Sequence, residues 1–213
     1  MMCTLEQRGR VFVVTLTGDS ENRLGHPLIA SIRSALTSVA VSALSNGAGP
    51  ALVTVAEGRF FSNGLDIGLV GTSRARLGEL IDTLRAIAAD LLALPMPTVA
   101  ASEIDIGWPL PPYFMALLRA KITAGQAFRD VVLQGKKLRA LEAKEMGIVD
   151  AVCPGAPETA VDALKLAKQL AARKWDGTVY SSIRISMFLD ACRSVGIFVE
   201  NDEEKARYFA SRL

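Results

Sequence analysis

The chain carries almost no excess of charge. Its 24 lysines and arginines meet 22 aspartates and glutamates, a formal net of +2, so nothing electrostatic argues for nucleic acid or an anionic membrane as partner. No apolar run reaches the roughly 18 residues that a bilayer crossing needs. The opening residues, Met1 to Arg8, lack the apolar core of a secretory signal. Cysteine is scarce and odd in number: Cys3, Cys153 and Cys192 lie far apart with no metal-ligand spacing, which reads as free thiols in a reducing compartment. The single histidine, His26, stands between Gly25 and Pro27 without an acidic residue to orient it, and reads as a loop residue rather than a general base. No phosphate-binding or dinucleotide glycine fingerprint occurs, nor any internal repeat or low-complexity tract. What is plentiful is apolar side chain. Half of the 213 residues are hydrophobic, enough for a sizeable core in one domain, or one domain with a helical appendage.

Periodicity orders the chain. Val11-Phe-Val-Val-Thr-Leu-Thr17 and Ala51-Leu-Val-Thr-Val-Ala56 are apolar, largely β-branched runs that read as buried strands, and Thr98-Val99-Ala100-Ala101 begins a third. Between the first two, Pro27 to Ser42 sets Leu28, Ile29, Ile32, Leu36 and Val39 on one helical face, with Pro27 suited to a first turn. Arg74 to Leu94 predicts a long helix whose stripe runs from Leu77 to Leu94 and packs on the sheet, stopped by Pro95 and Pro97. Further helices are expected over residues 113–122, 123–134, 141–146, 156–174 and 177–193, with a terminal one over 202–210. Strands alternating with helices, then helices alone, indicate an α/β core over residues 1–110 and a helical C-terminal region over 111–213.

The exit from the second strand is the most informative stretch. In Gly58-Arg-Phe-Phe-Ser-Asn-Gly-Leu-Asp66 two aromatics give way to small and polar residues and a glycine. Such a loop can turn a backbone N–H toward a ligand oxygen, because little side chain stands in the way. Asp66 by itself reads as the cap of the next helix. Glu103 lies between an apolar run and a proline-rich turn, where an ordinary surface acid and a working carboxylate both occur. Lys136-Lys137 reads as a solvated charge pair.

Four pieces in order resemble the crotonase (enoyl-CoA hydratase/isomerase) superfamily, and within it the plant monofunctional Δ3,Δ2-enoyl-CoA isomerases. They are Glu21-Asn-Arg-Leu24, similar to an early acyl-CoA contact loop; Gly58 to Asp66, similar to the oxyanion loop; Ser102-Glu-Ile-Asp-Ile-Gly107, similar to the block with the catalytic glutamate; and Gln134 to Val149, similar to the helix and turn that follow. The resemblance implies a crotonase-like ββα-repeat spiral core with a helical C-terminal region that carries oligomerisation. It implies Glu103 as the carboxylate that moves a proton from C2 to C4 of a 3-enoyl thioester, and the Ser62 backbone N–H as one oxyanion donor. Asn63, Gly64, Leu65, Asp66 and Ser102 would line the substrate. No cofactor is implied, coenzyme A being part of the substrate. The implied partners are an acyl-CoA thioester and further copies of the chain, as a trimer or hexamer.

One departure from the family pattern bears on activity. Where the family has a glycine-containing loop, a helix and a strand before the glutamate block, Ala101 is followed at once by Ser102-Glu103, and no glycine lies between Gly78 and Gly107. The core is therefore expected to be shortened by a few tens of residues, and the second oxyanion donor to be lost with them. The alternative to an active isomerase is a catalytically impaired acyl-CoA-binding or subunit-interacting protein. Ser211-Arg212-Leu213 differs from the Ser-Lys-Leu peroxisomal address by one basic residue, which points to a peroxisomal import receptor and a peroxisomal location.

Overall fold

The computed structural model describes residues 2–18, 21–45, 49–58, 60–71, 73–99 and 111–197. The chain opens with an antiparallel hairpin of β1 (Cys3–Arg8) and β2 (Val11–Leu16), in register from Cys3 opposite Leu16 to Arg8 opposite Val11. Helix α1 (His26–Ser45) crosses over to β3 (Ala51–Ala56), which runs parallel to β2. Helix α2 (Arg74–Ala93) then leads to the short β4 (Thr98–Val99), parallel to β3, so the sheet order is β1-β2-β3-β4. Among the described residues six helices follow: α3 (Pro112–Lys121), α4 (Gly125–Val132), α5 (Ala140–Glu145), α6 (Ala156–Ala172), α7 (Gly177–Met187) and α8 (Leu189–Ser194). An α/β core followed by helices is the architecture that the periodicity predicts.

Both faces of the sheet are covered, which is why β2 and β3 read as continuous apolar runs. Side chains alternate along a strand. Phe12, Val14, Leu16 and Leu52 join Leu28, Ile29, Leu36 and Val39 of α1 in one core. Val11, Val13, Ala51 and Val53 face Ala167 and Ala171 of α6 in a second. With Ala163 beside them, these alanines recur every four residues, so one methyl-only stripe lets α6 lie close on the strands. At the end of α6, Lys174 passes Gly49, whose φ is +83°; a Cβ on Gly49 would stand 2.5 Å from the Lys174 Cα. Only glycine fits there.

Several local expectations need correction. β1 carries little apolar signal, since after Cys3 every residue is exposed; it exists because the edge of β2 supplies its hydrogen bonds. His26 is the first residue of α1 rather than part of a loop. The α2 stripe packs chiefly against α1, where Arg33 Nε meets Asp90 Oδ2 at 2.6 Å, rather than on the sheet. The helix expected over 177–193 breaks at Phe188 (φ −113°, ψ 36°) into α7 and α8. Leu92 of α2, Ala191 and Cys192 form a third small core. All three cysteines are free. The helix expected over 202–210 lies outside the described residues.

Candidate functional site

The loop leaving β3 is tied to the segment that leaves β2. Glu57 N–H still donates to the Leu16 carbonyl at 2.9 Å, as if the strands ran one rung further. Beyond it the loop pairs with residues 21–24. Asn63 N–H donates to Glu21 O at 2.8 Å, Leu24 N–H to Gly64 O at 2.8 Å, and Asp66 N–H to Leu24 O at 3.1 Å; Leu24 and Leu65 form a parallel bridge. The Ser62 hydroxyl donates to Asn22 O at 2.8 Å and accepts, at 3.3 Å, the Gly64 N–H. The amides of Asn63, Gly64 and Asp66 are thus spent inside the loop. The Ser62 N–H has no hydrogen-bond partner among the described residues. Gly64 has a φ of +76° with open space where a Cβ would project, so its conformation rather than crowding calls for glycine.

The individual residues divide. Ser62 is half-buried and Asn63 exposed. The Leu65 side chain belongs to the main core, the cluster that also holds Leu77 and Leu80. Asp66 stands at the head of a single 3-10 turn, Ile67–Leu69, and makes no side-chain cap bond to it. A Cβ on Gly25 would meet Leu69 Cδ1 at 2.9 Å, so this turn sits tightly on the 21–25 segment. Ser102 and Glu103 lie outside the described residues, as do Ser211, Arg212 and Leu213. Lys136 is engaged at the surface with Glu142 at 3.7 Å. The Glu142 carboxyl is held below the usual range, first by the Arg139 backbone N–H that it accepts and then by nearby cations.

Asn22 has a structural role that reading by sequence does not find. Within Glu21-Asn-Arg-Leu24 it looked like part of a ligand-contact loop. It is instead fully buried, at 0% exposure, the one buried polar residue among those described. Its φ is +46°. Its Nδ2 donates to Glu57 O at 2.7 Å and Phe60 O at 3.0 Å, while Oδ1 accepts the Gly18 N–H at 3.1 Å. Two carbonyls on one side fix which end of the amide is nitrogen. Nothing in a lone asparagine after an acid announces such a role, because all of its side-chain partners but Gly18 are more than 30 residues away.

Arg184 of α7, half-buried, makes a second polar junction. Its guanidinium donates to Leu94 O at 3.3 Å, Met96 O at 3.0 Å and Thr98 Oγ1 at 2.8 Å. It thereby pins α7 to the connection that feeds β4. Burial pushes its pKa below the ordinary value. Among the described residues no cluster of three or more histidines, cysteines and acids is arranged to hold a metal ion, and no helix is long and apolar enough to cross a membrane.

The chain is similar to three curated proteins of Arabidopsis thaliana. It is 38% identical to "Enoyl-CoA delta isomerase 2, peroxisomal" over 92% of this chain and 96% of that protein. It is 37% identical to "Enoyl-CoA delta isomerase 3" over 94% and 98%, and 36% identical to "Enoyl-CoA delta isomerase 1, peroxisomal" over 87% and 89%. The first alignment runs over 233 positions but takes in 92% of 213 residues, about 196, so about 37 positions fall opposite gaps in this chain. Among solved structures, an enoyl-CoA isomerase of Mycobacterium tuberculosis superposes with a TM-score of 0.76 at 17% identity, over 91% of this chain and 94% of that one. An enoyl-CoA hydratase of Mycobacterium ulcerans gives 0.76 at 17% identity, over 92% and 95%. At such identity the likeness is one of fold. No family model matches the chain.

Proposed function

The chain belongs to the enoyl-CoA delta isomerases of the crotonase superfamily, and on that premise we propose that it moves the double bond of a 3-enoyl-CoA to give the trans-2-enoyl-CoA during β-oxidation of unsaturated fatty acids. Net composition is unchanged in such a reaction. A base takes a proton from C2, the electron pair delocalises onto the thioester oxygen as an enolate, and the proton returns at C4. Glu103 is the proposed base and acid, reaching C2 and C4 in turn. A carboxylate beside an acyl chain would have a raised proton affinity, which suits it to a carbon acid. The Ser62 N–H is the proposed donor to the enolate oxygen, with Asn63, Gly64, Asp66 and Ser102 nearest the substrate. Coenzyme A belongs to the substrate, and the chemistry calls for no other cofactor.

The observation that carries this reading is the hydrogen-bond inventory of the loop. Asn63, Gly64 and Asp66 spend their amides inside the site, while the Ser62 N–H, like those of Phe61 and Leu65, has no partner among the described residues; an unspent amide on this loop is what a preorganised oxyanion donor needs. A second reading is favoured by the gaps in the alignment. If the missing positions include the second donor, the rate falls by about a hundred- to a thousandfold, and the chain serves as an acyl-CoA-binding or subunit-interacting protein. Self-association into a trimer or hexamer is part of either reading. The "peroxisomal" in two relatives' names, together with Ser211-Arg212-Leu213, supports a peroxisomal location.

Purified protein incubated with 3-hexenoyl-CoA should generate the conjugated thioester, followed by ultraviolet absorbance, and Glu103→Gln should abolish turnover while binding persists. Binding without turnover in the unaltered chain selects the second reading. Absence of both binding and turnover refutes the isomerase and the acyl-CoA-binding role and leaves subunit interaction alone. Import should fail when residues 211–213 are deleted.

A further inference from the structure

We propose that Asn22 is a positioning residue for the oxyanion loop: its buried side-chain amide locks the loop in the one arrangement that leaves the Ser62 N–H unspent. The proposal rests on the reading of Ser62 given above. Four anchors meet at this residue. Oδ1 holds the Gly18 N–H at the end of β2, and Nδ2 holds Glu57 O at the end of β3 and Phe60 O in the loop. The Asn22 carbonyl holds the Ser62 hydroxyl. Phe60 O and Ser62 Oγ are both drawn to the same residue, so the peptide between them and the serine amide is clamped from both sides. A clamped donor does not reorganise when charge develops on a bound oxygen, and that is where an oxyanion hole gains its effect.

Two properties of asparagine are used at once. The backbone at φ +46° is tolerated by asparagine and glycine but strained for most other residues. The side chain must also present two donors and one acceptor in a water-free site. Aspartate keeps the shape and the acceptor but sets oxygen against the Glu57 and Phe60 carbonyls. Glycine keeps the backbone and removes the amide. Neither substitution alters a group that would touch substrate, because Asn22 has no exposed surface.

The test compares Asn22→Gly and Asn22→Asp with the unaltered chain, each first checked for folding by circular dichroism. Hydrogen–deuterium exchange over residues 60–66 reads the clamp directly, whatever the activity. Protection of the Asn63, Gly64 and Asp66 amides should fall at least tenfold in both variants. Binding of 2,4-hexadienoyl-CoA, a conjugated thioester whose absorption moves to the red when its carbonyl is polarised, reads the donor. Its Kd should change by less than about threefold while the red shift is at least halved. Where the unaltered chain turns over 3-hexenoyl-CoA, kcat should fall by about a hundredfold, the loss that a displacement of about 1 Å can cause, with KM little changed. Unchanged protection in Asn22→Gly overturns the clamp. Lost protection with an intact red shift or kcat also overturns the proposal, reducing Asn22 to a structural role. Lost protection in the variants, with no red shift in the unaltered chain although it binds, refutes the Ser62 donor and the positioning role with it, and leaves only a structural brace.

Discussion

Replacing Arg184 with methionine should loosen the junction between α7 and the α2–β4 connection. The guanidinium donates to two main-chain carbonyls and one hydroxyl. Leu94 and Met96, whose carbonyls accept, are 2% and 1% exposed. Methionine fills much of the same volume but offers no donor, and water has little access to replace it. Each abandoned carbonyl costs about 1–3 kcal/mol, so two cost about 2–6. Part returns because a cation no longer has to be desolvated, the same burial that lowers the Arg184 pKa. A net loss of about 2–4 kcal/mol remains, since buried polar groups left unpaired outweigh relief of this kind. For a chain of this size about 1 kcal/mol moves Tm by about 2–4 °C, so Tm should fall by about 4–16 °C. Urea unfolding followed by circular dichroism gives the free energy, and a thermal scan the shift. Arg184→Lys, with one ammonium able to reach fewer of the three acceptors, should lie between. A methionine variant within about 0.5 kcal/mol of the unaltered chain, the range of an ordinary surface substitution, would show that the three bonds contribute nothing net and would refute the reasoning.

Three other outcomes follow from local geometry. Gly49→Ala should destabilise by more than about 1 kcal/mol in urea unfolding, because it adds a Cβ at φ +83° and drives it into the Lys174 backbone. Ala167→Leu, at a position with no exposed surface in the α6–sheet contact, should cost about 1–3 kcal/mol through overpacking. Burial raises the Tyr113 pKa to about 12 from 10.0, and its hydroxyl donates to Ile81 O at 3.2 Å. The tyrosinate absorbance should therefore have a late component near pH 12 that Tyr113→Phe removes. Since the folded value lies above the unfolded one, this group's contribution to stability is full below pH 10 and is lost as pH rises toward 12.

Much of the fold was legible because burial on two faces writes itself into composition. The apolar runs at 11–17 and 51–56 matched β2 and β3 within a residue, and the proline stop at 95 closed α2 where expected. β1 was illegible because its residues are mostly polar and its stability is borrowed from a neighbour. The break at Phe188 was illegible because 177–193 is compatible with a continuous helix and tertiary packing chose otherwise. At the site, Ser62 to Asp66 could be singled out by residue type, since small and polar residues after a buried strand mark a loop with exposed amides. The partners of those amides could not.

The order of residues alone thus decided lineage, the α/β class, the loop after β3 and the absence of strong charge, for these depend on side-chain types at short spacing. The tertiary structure alone decided which loop amides are spent and that the Ser62 amide is not among them, that the Asn22 side chain is a buried brace, and that Arg184 reaches back about 90 residues to hold Leu94 and Met96. Hydrogen bonds between distant segments carry no local signature; they exist only once hydrophobic burial has brought the segments together and excluded the water that would otherwise compete.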